Sequence, residues 1–223
     1  MQPVAGSLTP IFATPFASLQ LPVNLEFNRE LQQLLDGRVA TQFRCAHKPN
    51  NPLLFQSRDD LFGWQEPRVQ QLRAHMLRAL ASVVAACNEY TDQEFGELTI
   101  DARAHFARIA ASGFLPTTSY TQATWCMAYC VAAPELTTDR PANGVLRLYE
   151  TRLGNTLIDA SNWRLKAPFG LAHHVWRPTP GYMAVFPASL PHELSLLQGR
   201  GELLLVIGRA RFTTPGQTDM PPW

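Results

Sequence analysis

The run from Pro178 to Glu193, PTPGYMAVFPASLPHE, leads to an imidazole, His192, that could hold a metal ion or move a proton. It is entered through Pro-Gly and left through a Phe-Pro pair, with the histidine five residues further on. His173 and His174 lie just upstream, and in an extended segment only one of two neighbours can point inward. One of them, with His174 as the candidate, joined to His192 and Glu150 would supply ligand types suited to iron, manganese or zinc. Without a metal, a histidine, a tyrosine such as Tyr120 and a glutamate such as Glu150 suffice for general acid–base work, provided they come within hydrogen-bond reach. His47, in a polar loop, and His75, on a helix, read as surface residues. His105 lies ahead of an apolar run with no partner nearby in sequence, and reads as structural.

Positioning these groups takes a chain that changes character near residue 100. Before it, Val69, Leu72, Met76, Leu80, Val83 and Cys87 recur at helical spacing after a Glu66-Pro67 start signal, and Asn28 to Leu35 reads as a shorter helix. From residue 105 onward, short runs of aromatic and β-branched residues alternate with turn signals at Gly113, Asn143-Gly144, Gly154-Asn155, Pro180-Gly181 and Gly199 to Gly201. This pattern predicts a sandwich or jelly roll. Thr124 to Val131 reads as a buried strand carrying Cys126 and Cys130 on one face as small hydrophobes. Trp125, Trp163 and Trp176 are expected in the core or the pocket wall. The polar, proline-rich stretch from Thr213 to Trp223 reads as an extended arm.

Composition removes several function classes. With 223 residues and 46% hydrophobic content, the chain can bury a full core. Its 19 basic and 18 acidic residues form no basic stripe, which argues against nucleic acid as a partner. No apolar run reaches the roughly 18 residues of a membrane span, and MQPVAGSLTP lacks the regions of a signal peptide, so a cytoplasmic, membrane-free protein is expected. The four cysteines form no CxxC pair.

The second half of the chain resembles the double-stranded β-helix of the Fe(II)/2-oxoglutarate dioxygenases, specifically a bacterial group of 2-oxoglutarate-Fe(II) oxygenases of unassigned substrate. Pro178, Gly181, Phe186, Pro187 and His192 match its Pro-x-x-Gly-x-x-x-x-Phe-Pro-x-x-x-x-His spacing. LTPIFATPF looks like its opening strand, Phe55-Gln56-Ser57 with Asp60-Leu61 like its Gln-Ser-x-x-Asp-Leu segment, FARIAASG like its Trp-x-Asn-x-x-x-x-Gly, and GVLRLYETR like its Gly-x-Leu-x-Phe-x-Asp-Pro-Arg. The resemblance implies a mainly β fold with helices: a jelly-roll, cupin-like barrel over residues 101–212, an N-terminal strand and helical layer over 1–100, and the tail over 213–223, all one domain. It also implies Fe(II) and 2-oxoglutarate as cofactors.

The implied cofactor site departs from the family at the residues that matter. Two ligands should come from a His-x-Asp or His-x-His strand, and Thr118 and Tyr120 stand in those places, with no His, Asp or Glu from Phe106 to Ala133. The Arg expected about ten residues beyond His192 falls on Glu202, and Arg200 would serve only by a shift. Thr118, Arg152 and Arg200 are then the candidate cofactor contacts, with Glu150 and Arg152 alternatively a structural ion pair. His192, Tyr120 and Glu150 are the candidate catalytic residues. Three readings follow: a repurposed enzyme acting on a small molecule in the barrel, which leads; an oxygenase with rearranged ligands; and a non-catalytic binding protein. An exposed strand edge or the tail could also mediate a homodimer.

Overall fold

The computed structural model describes residues 12–46, 51–152, 157–162, 164–165, 169–170, 173–217 and 219–223. Trp163 and His47, singled out above, lie outside the described residues. The larger sheet is built around two long strands, β3 (Thr99–Ala110) and β12 (Glu202–Thr213), paired antiparallel along their whole length from Glu202 opposite Ala110 to Thr213 opposite Thr99. β12 also pairs with β5 (Trp125–Ala132), β5 with β9 (Tyr182–Pro187), and β9 with β1 (Ala17–Gln20). β2 (Leu54–Gln56) closes the other edge against β3, giving the order β1-β9-β5-β12-β3-β2.

A second, four-stranded sheet has the order β4-β10-β7-β8, from β4 (Leu115–Thr118), β10 (His192–Leu194), β7 (Leu146–Tyr149) and β8 (His173–Trp176). β6 (Glu135–Leu136) and β11 (Gly199–Arg200) form a separate short pair. The architecture is the mainly β, jelly-roll type that the turn spacing predicts, but the two sheets remain open rather than closing into a barrel.

Period-two alternation sorts the larger sheet into two faces. One face carries Phe106, Met127, Tyr129, Met183, Val185, Leu204 and Val206, packed with α1 (Leu25–Asp36) and α2 (Pro67–Ala86). α2 starts where Glu66-Pro67 signals it, because proline at the first helical position has no amide hydrogen to leave unpaired. It buries Val69, Leu72, Met76, Leu80 and Val84, the last in place of the expected Val83 and Cys87. α1 begins earlier than expected because the Asn24 side chain accepts a hydrogen bond from the Phe27 amide and caps the helix. A five-residue helix, α3 (Asp92–Gly96), opens on a Thr91/Glu94 capping box. Among the described residues no helix is long and apolar enough to cross a membrane.

The other face carries Ala107, Ile109, Cys126, Ala128, Cys130, Ala184, Phe186, Leu203, Leu205 and Ile207, and it looks toward Leu115, Leu146, Leu148 and Leu194 of the smaller sheet. Cys126 and Cys130 are thus buried on one face, as the strand pattern implies. Trp176 closes this core, its indole donating to Ser18 Oγ at 2.9 Å. β9 is reached through a tight turn at Gly181, whose φ of +87° suits a residue without a Cβ.

Helix α1 is pinned to the sheet by one buried hydrogen bond, from Tyr129 Oη to Asn28 Oδ1 at 2.5 Å. Tyr129→Phe removes the donor and leaves the buried amide oxygen without a partner, so it should cost about 1–3 kcal/mol. Urea denaturation is the check: the midpoint should fall while the slope stays unchanged.

Candidate functional site

Between the inner faces of the two sheets lies a cavity of about 580 Å³, within the range usual for small-molecule sites. Its wall is apolar over much of its extent, through Leu115, Ala128, Leu146, Phe186, Leu205 and Ile207. The polar groups gather at two poles.

His192 is the first pole. Its strand sits between β4 and β7, so the ring is directly opposite Thr118 on one side and Leu148 on the other. The ring is buried, edge-on to Phe186 at 5.0 Å and tilted against Tyr120 at 5.6 Å between ring centroids. Nδ1 lies 2.8 Å from the Leu190 carbonyl, which can only accept, so Nδ1 carries the hydrogen and Nε2 a lone pair. Burial lowers the pKa of this imidazole, the Leu190 hydrogen bond opposing it only in part. Tyr120 is fixed by its own amide, which donates to the Ala188 carbonyl at 2.8 Å, and burial raises its phenol above the ordinary value. Thr118, Tyr120 and His192 all line the cavity, and the structure brings these three together.

The second pole is Asp59, His105 and Arg209, a group that sequence reasoning missed. The segment after β2 is laced to β3: Ser57 Oγ accepts from the Phe106 amide at 3.0 Å, and the Ser57 amide donates to the Phe106 carbonyl at 2.9 Å. That lacing places the Asp59 carboxylate 2.9 Å from His105 Nδ1 and in an ion pair with the Arg209 guanidinium. Burial pushes the Asp59 carboxyl up, but the hydrogen bonds of His105 and Arg209 and the guanidinium charge outweigh it and hold the carboxyl below the usual range. Arg209 also stacks over Tyr120 at 4.7 Å and over Trp223 at 5.7 Å. His105 therefore lies within a strand rather than ahead of one, and its partner comes from 46 residues away in sequence. The signal that could have found this pole is arginine inside the apolar run ELLLVIGRARF, since arginine is almost never buried without a partner.

The remaining candidates sit elsewhere. Glu150 pairs with Arg152 at 2.6 Å, and the hydrogen bond from Arg152 holds its carboxyl down at about 2. Neither residue is on the cavity wall, so the pair forms outside it. Arg200 is exposed on β11 opposite Glu135, away from the cavity, and Glu202 pairs with Arg108. The shifted arginine expected at 200 therefore stands away from the cavity, whose wall carries two other arginines, Arg58 and Arg209. His174 is exposed and packs its ring on Phe16 at 4.3 Å, while His173 packs on Tyr149. His174 is not among the residues lining the cavity with His192.

Among the described residues, the side chains beside His192 do not form a standard Fe(II) ligand set. The donors beside His192 are a threonine hydroxyl and a phenol held in its protonated form, neither a normal ligand for Fe(II). The next residue on its strand, Glu193, has its carboxylate engaged by Thr117 at 2.9 Å and Tyr149 at 2.7 Å. Among the described residues no group of three or more His, Cys, Asp or Glu side chains could hold a metal ion. Of the two arginines on the cavity wall, Arg209 is ion-paired with Asp59 and Arg58 with Asp60.

No protein-family model matches the chain, and no curated protein sequence does. Solved structures do match. A prolyl-4-hydroxylase from Pseudomonas putida superposes with a TM-score of 0.54 at 19% identity, covering 88% of this chain and 91% of that one. The α-ketoglutarate-dependent epimerase SnoN of nogalamycin biosynthesis gives 0.61 at 10% identity over 94% and 89%. HygX from Streptomyces hygroscopicus, solved with nickel and 2-oxoglutarate, gives 0.56 at 12% over 93% and 85%. The chain has the fold of the 2-oxoglutarate-Fe(II) oxygenases.

Burial of His192 gives a pH signature. Its folded pKa lies below the unfolded value near 6.5, so below about pH 6.5 the unfolded chain binds more protons than the folded one. Stability therefore falls as pH drops through that window and levels off below the folded pKa. In His192→Gln the fall between about pH 6.5 and 4 should be shallower than in the parent, compared by denaturant midpoints across the range.

Proposed function

We propose that the protein binds a small organic molecule between its two sheets and moves a proton on it, with His192 as base and Tyr120 as hydrogen-bond donor. The observation that carries this reading is the state of the His192 ring. The Leu190 carbonyl holds Nδ1–H at 2.8 Å, Nε2 is left as a lone pair, and a protonated phenol stands beside it in an apolar cavity. A base must be unprotonated at working pH, and the lowered pKa of His192 meets that condition.

A carbonyl compound with an acidic neighbouring C–H is the simplest substrate class for such a pair. His192 Nε2 takes the proton, and the electron pair of the broken C–H bond becomes the carbon–carbon bond of the enolate. Negative charge develops on the carbonyl oxygen, where the Tyr120 hydroxyl donates its hydrogen bond. Return of the proton to the opposite face of the same carbon inverts that centre, with no net oxidation and no other reactant. Thr118, opposite His192, can orient the same oxygen. Burial also pushes the Cys126 thiol up to about 12, so the cysteine on the cavity wall serves as an apolar filler rather than a nucleophile.

The fold itself favours a second reading, an iron-dependent oxygenase with ligands arranged differently, and one experiment separates the two. Protein purified anaerobically and offered Fe(II) and 2-oxoglutarate should retain no stoichiometric iron and release no succinate. In D₂O it should exchange deuterium into a simple phenyl-substituted alkyl ketone such as 4-phenylbutan-2-one, and His192→Ala should slow that exchange by at least ~100-fold. Stoichiometric iron with succinate release overturns the proton-transfer reading. Saturable ketone binding without exchange makes the protein a binding module.

A further inference from the structure

The Asp59, His105 and Arg209 pole carries more than the proton-transfer reading uses. His105 has a side chain only 7% exposed, and its Nδ1 is spoken for by Asp59. Among the described residues its Nε2 is buried without a hydrogen-bond partner, as is the Nε of Arg209. An orphaned polar atom costs about 1–3 kcal/mol relative to a satisfied one, so a place like this calls for an occupant. The ionised Asp59 carboxylate can only accept, so Nδ1 carries the hydrogen, and in the neutral ring Nε2 is an acceptor. What belongs there is a donor.

The position within the fold says what else the occupant needs. His105 and Ile207 face each other in the β3–β12 ladder, and Ala107 and Ile109 follow on the same face. His192 lies against Phe186 on β9, and the sheet order β9-β5-β12-β3 puts three strand spacings between Phe186 and His105, on the order of 14 Å. The wall between is Ala128, Leu205 and Ile207. A molecule touching both imidazoles is elongated, apolar along its length and polar at its ends.

We propose that His105, held by Asp59, is a second ligand-binding pole that accepts a hydrogen bond from a hydroxyl or amino group at the far end of an elongated, apolar small molecule. Arg209 anchors Asp59 from the neighbouring strand and closes that end of the cavity through its stack between Tyr120 and Trp223. The proposal rests on the reading that the cavity is a small-molecule site, and adds the class of molecule.

A matched pair of probes tests it: 4-phenylbutan-1-ol, which carries the donor, and butylbenzene, which lacks it, titrated at about pH 8, above the ordinary imidazole range. The alcohol should bind about five- to tenfold tighter, the ratio expected from one hydrogen bond. His105→Phe keeps the ring volume and should erase that preference. Because that variant could misfold, the parent protein supplies a second readout. With ¹⁵N-labelled histidine, the His105 Nε2 resonance should move on adding the alcohol and stay in place with butylbenzene. Equal affinities, or a shift at His192 Nε2 alone, overturn the second pole while leaving the cavity as a site. Failure of both probes to bind saturably overturns the cavity reading and this proposal with it, whereas succinate release with bound iron would remove the proton-transfer chemistry without touching the affinity ratio.

Discussion

The structure depends on the uninterrupted pairing of β3 with β12. Twelve residues of each strand face each other without a register shift, and that register decides which side chains look toward the helices and which toward the cavity. A slip of one residue would exchange the two sets. Phe106, Leu204 and Val206 would enter the cavity, and His105, Ile207 and Arg209 would be driven under α2. Both faces of the pair are therefore specified by packing, which is why apolar residues run almost continuously along it. Gly208 adds to the fit: a Cβ there would come within 2.8 Å of the Met127 side-chain methyl, so the central strand stays thin where methionines from β5 and α2 cross it.

The same pairing explains how a charged group can sit in the wall. Arg209 is enclosed, with a side chain 13% exposed, and an unpaired guanidinium there would be costly. Asp59 supplies the counter-charge, and its loop is held by Ser57 and by a bridge from Asp60 to Ala104 of β3. Buried ion pairs add little net stability over well-packed apolar residues, so stability alone is a weak account of this network. Its chemical consequence is that one carboxylate holds both a guanidinium and an imidazole, and among the described residues one imidazole nitrogen stays buried without a partner.

Much of this was legible in the sequence where the signal is local. The Glu66-Pro67 start, the turn at Pro180-Gly181, and the strand carrying Cys126 and Cys130 all follow from proline, glycine and period-two chemistry acting within a few residues. The placement of Thr118 and Tyr120 near His192 came from motif order: the register of β10 with β4 sets Thr118 opposite His192, and Tyr120, past the end of β4, is held by its amide on the Ala188 carbonyl. What was not legible is long-range. His105 acquires its partner across 46 residues and Arg209 across 150, and no window on the sequence contains both members. Ten residues past His192 stands Glu202, the first residue of β12, which pairs with Arg108, and Arg200 lies on β11 opposite Glu135. Glu150 entered through the resemblance of GVLRLYETR, either as a pocket acid or in an ion pair with Arg152; β7 ends at Tyr149 and the ion pair is what forms.

A jelly roll of this type converges side chains from β4 and β10 on one point, whatever those side chains are. If three of them are strong ligands, the point is a metal site. When two are a threonine and a tyrosine, the same convergence places a hydroxyl and a phenol around one imidazole. Desolvation then acts differently on each group: it favours the neutral form of the histidine and the neutral form of the tyrosine. A neutral base beside a neutral donor is the combination that proton transfer to and from carbon requires, and burial alone generates it. On the reading proposed above, the fold needed no new architecture for that chemistry, only residues at two positions that decline to bind iron.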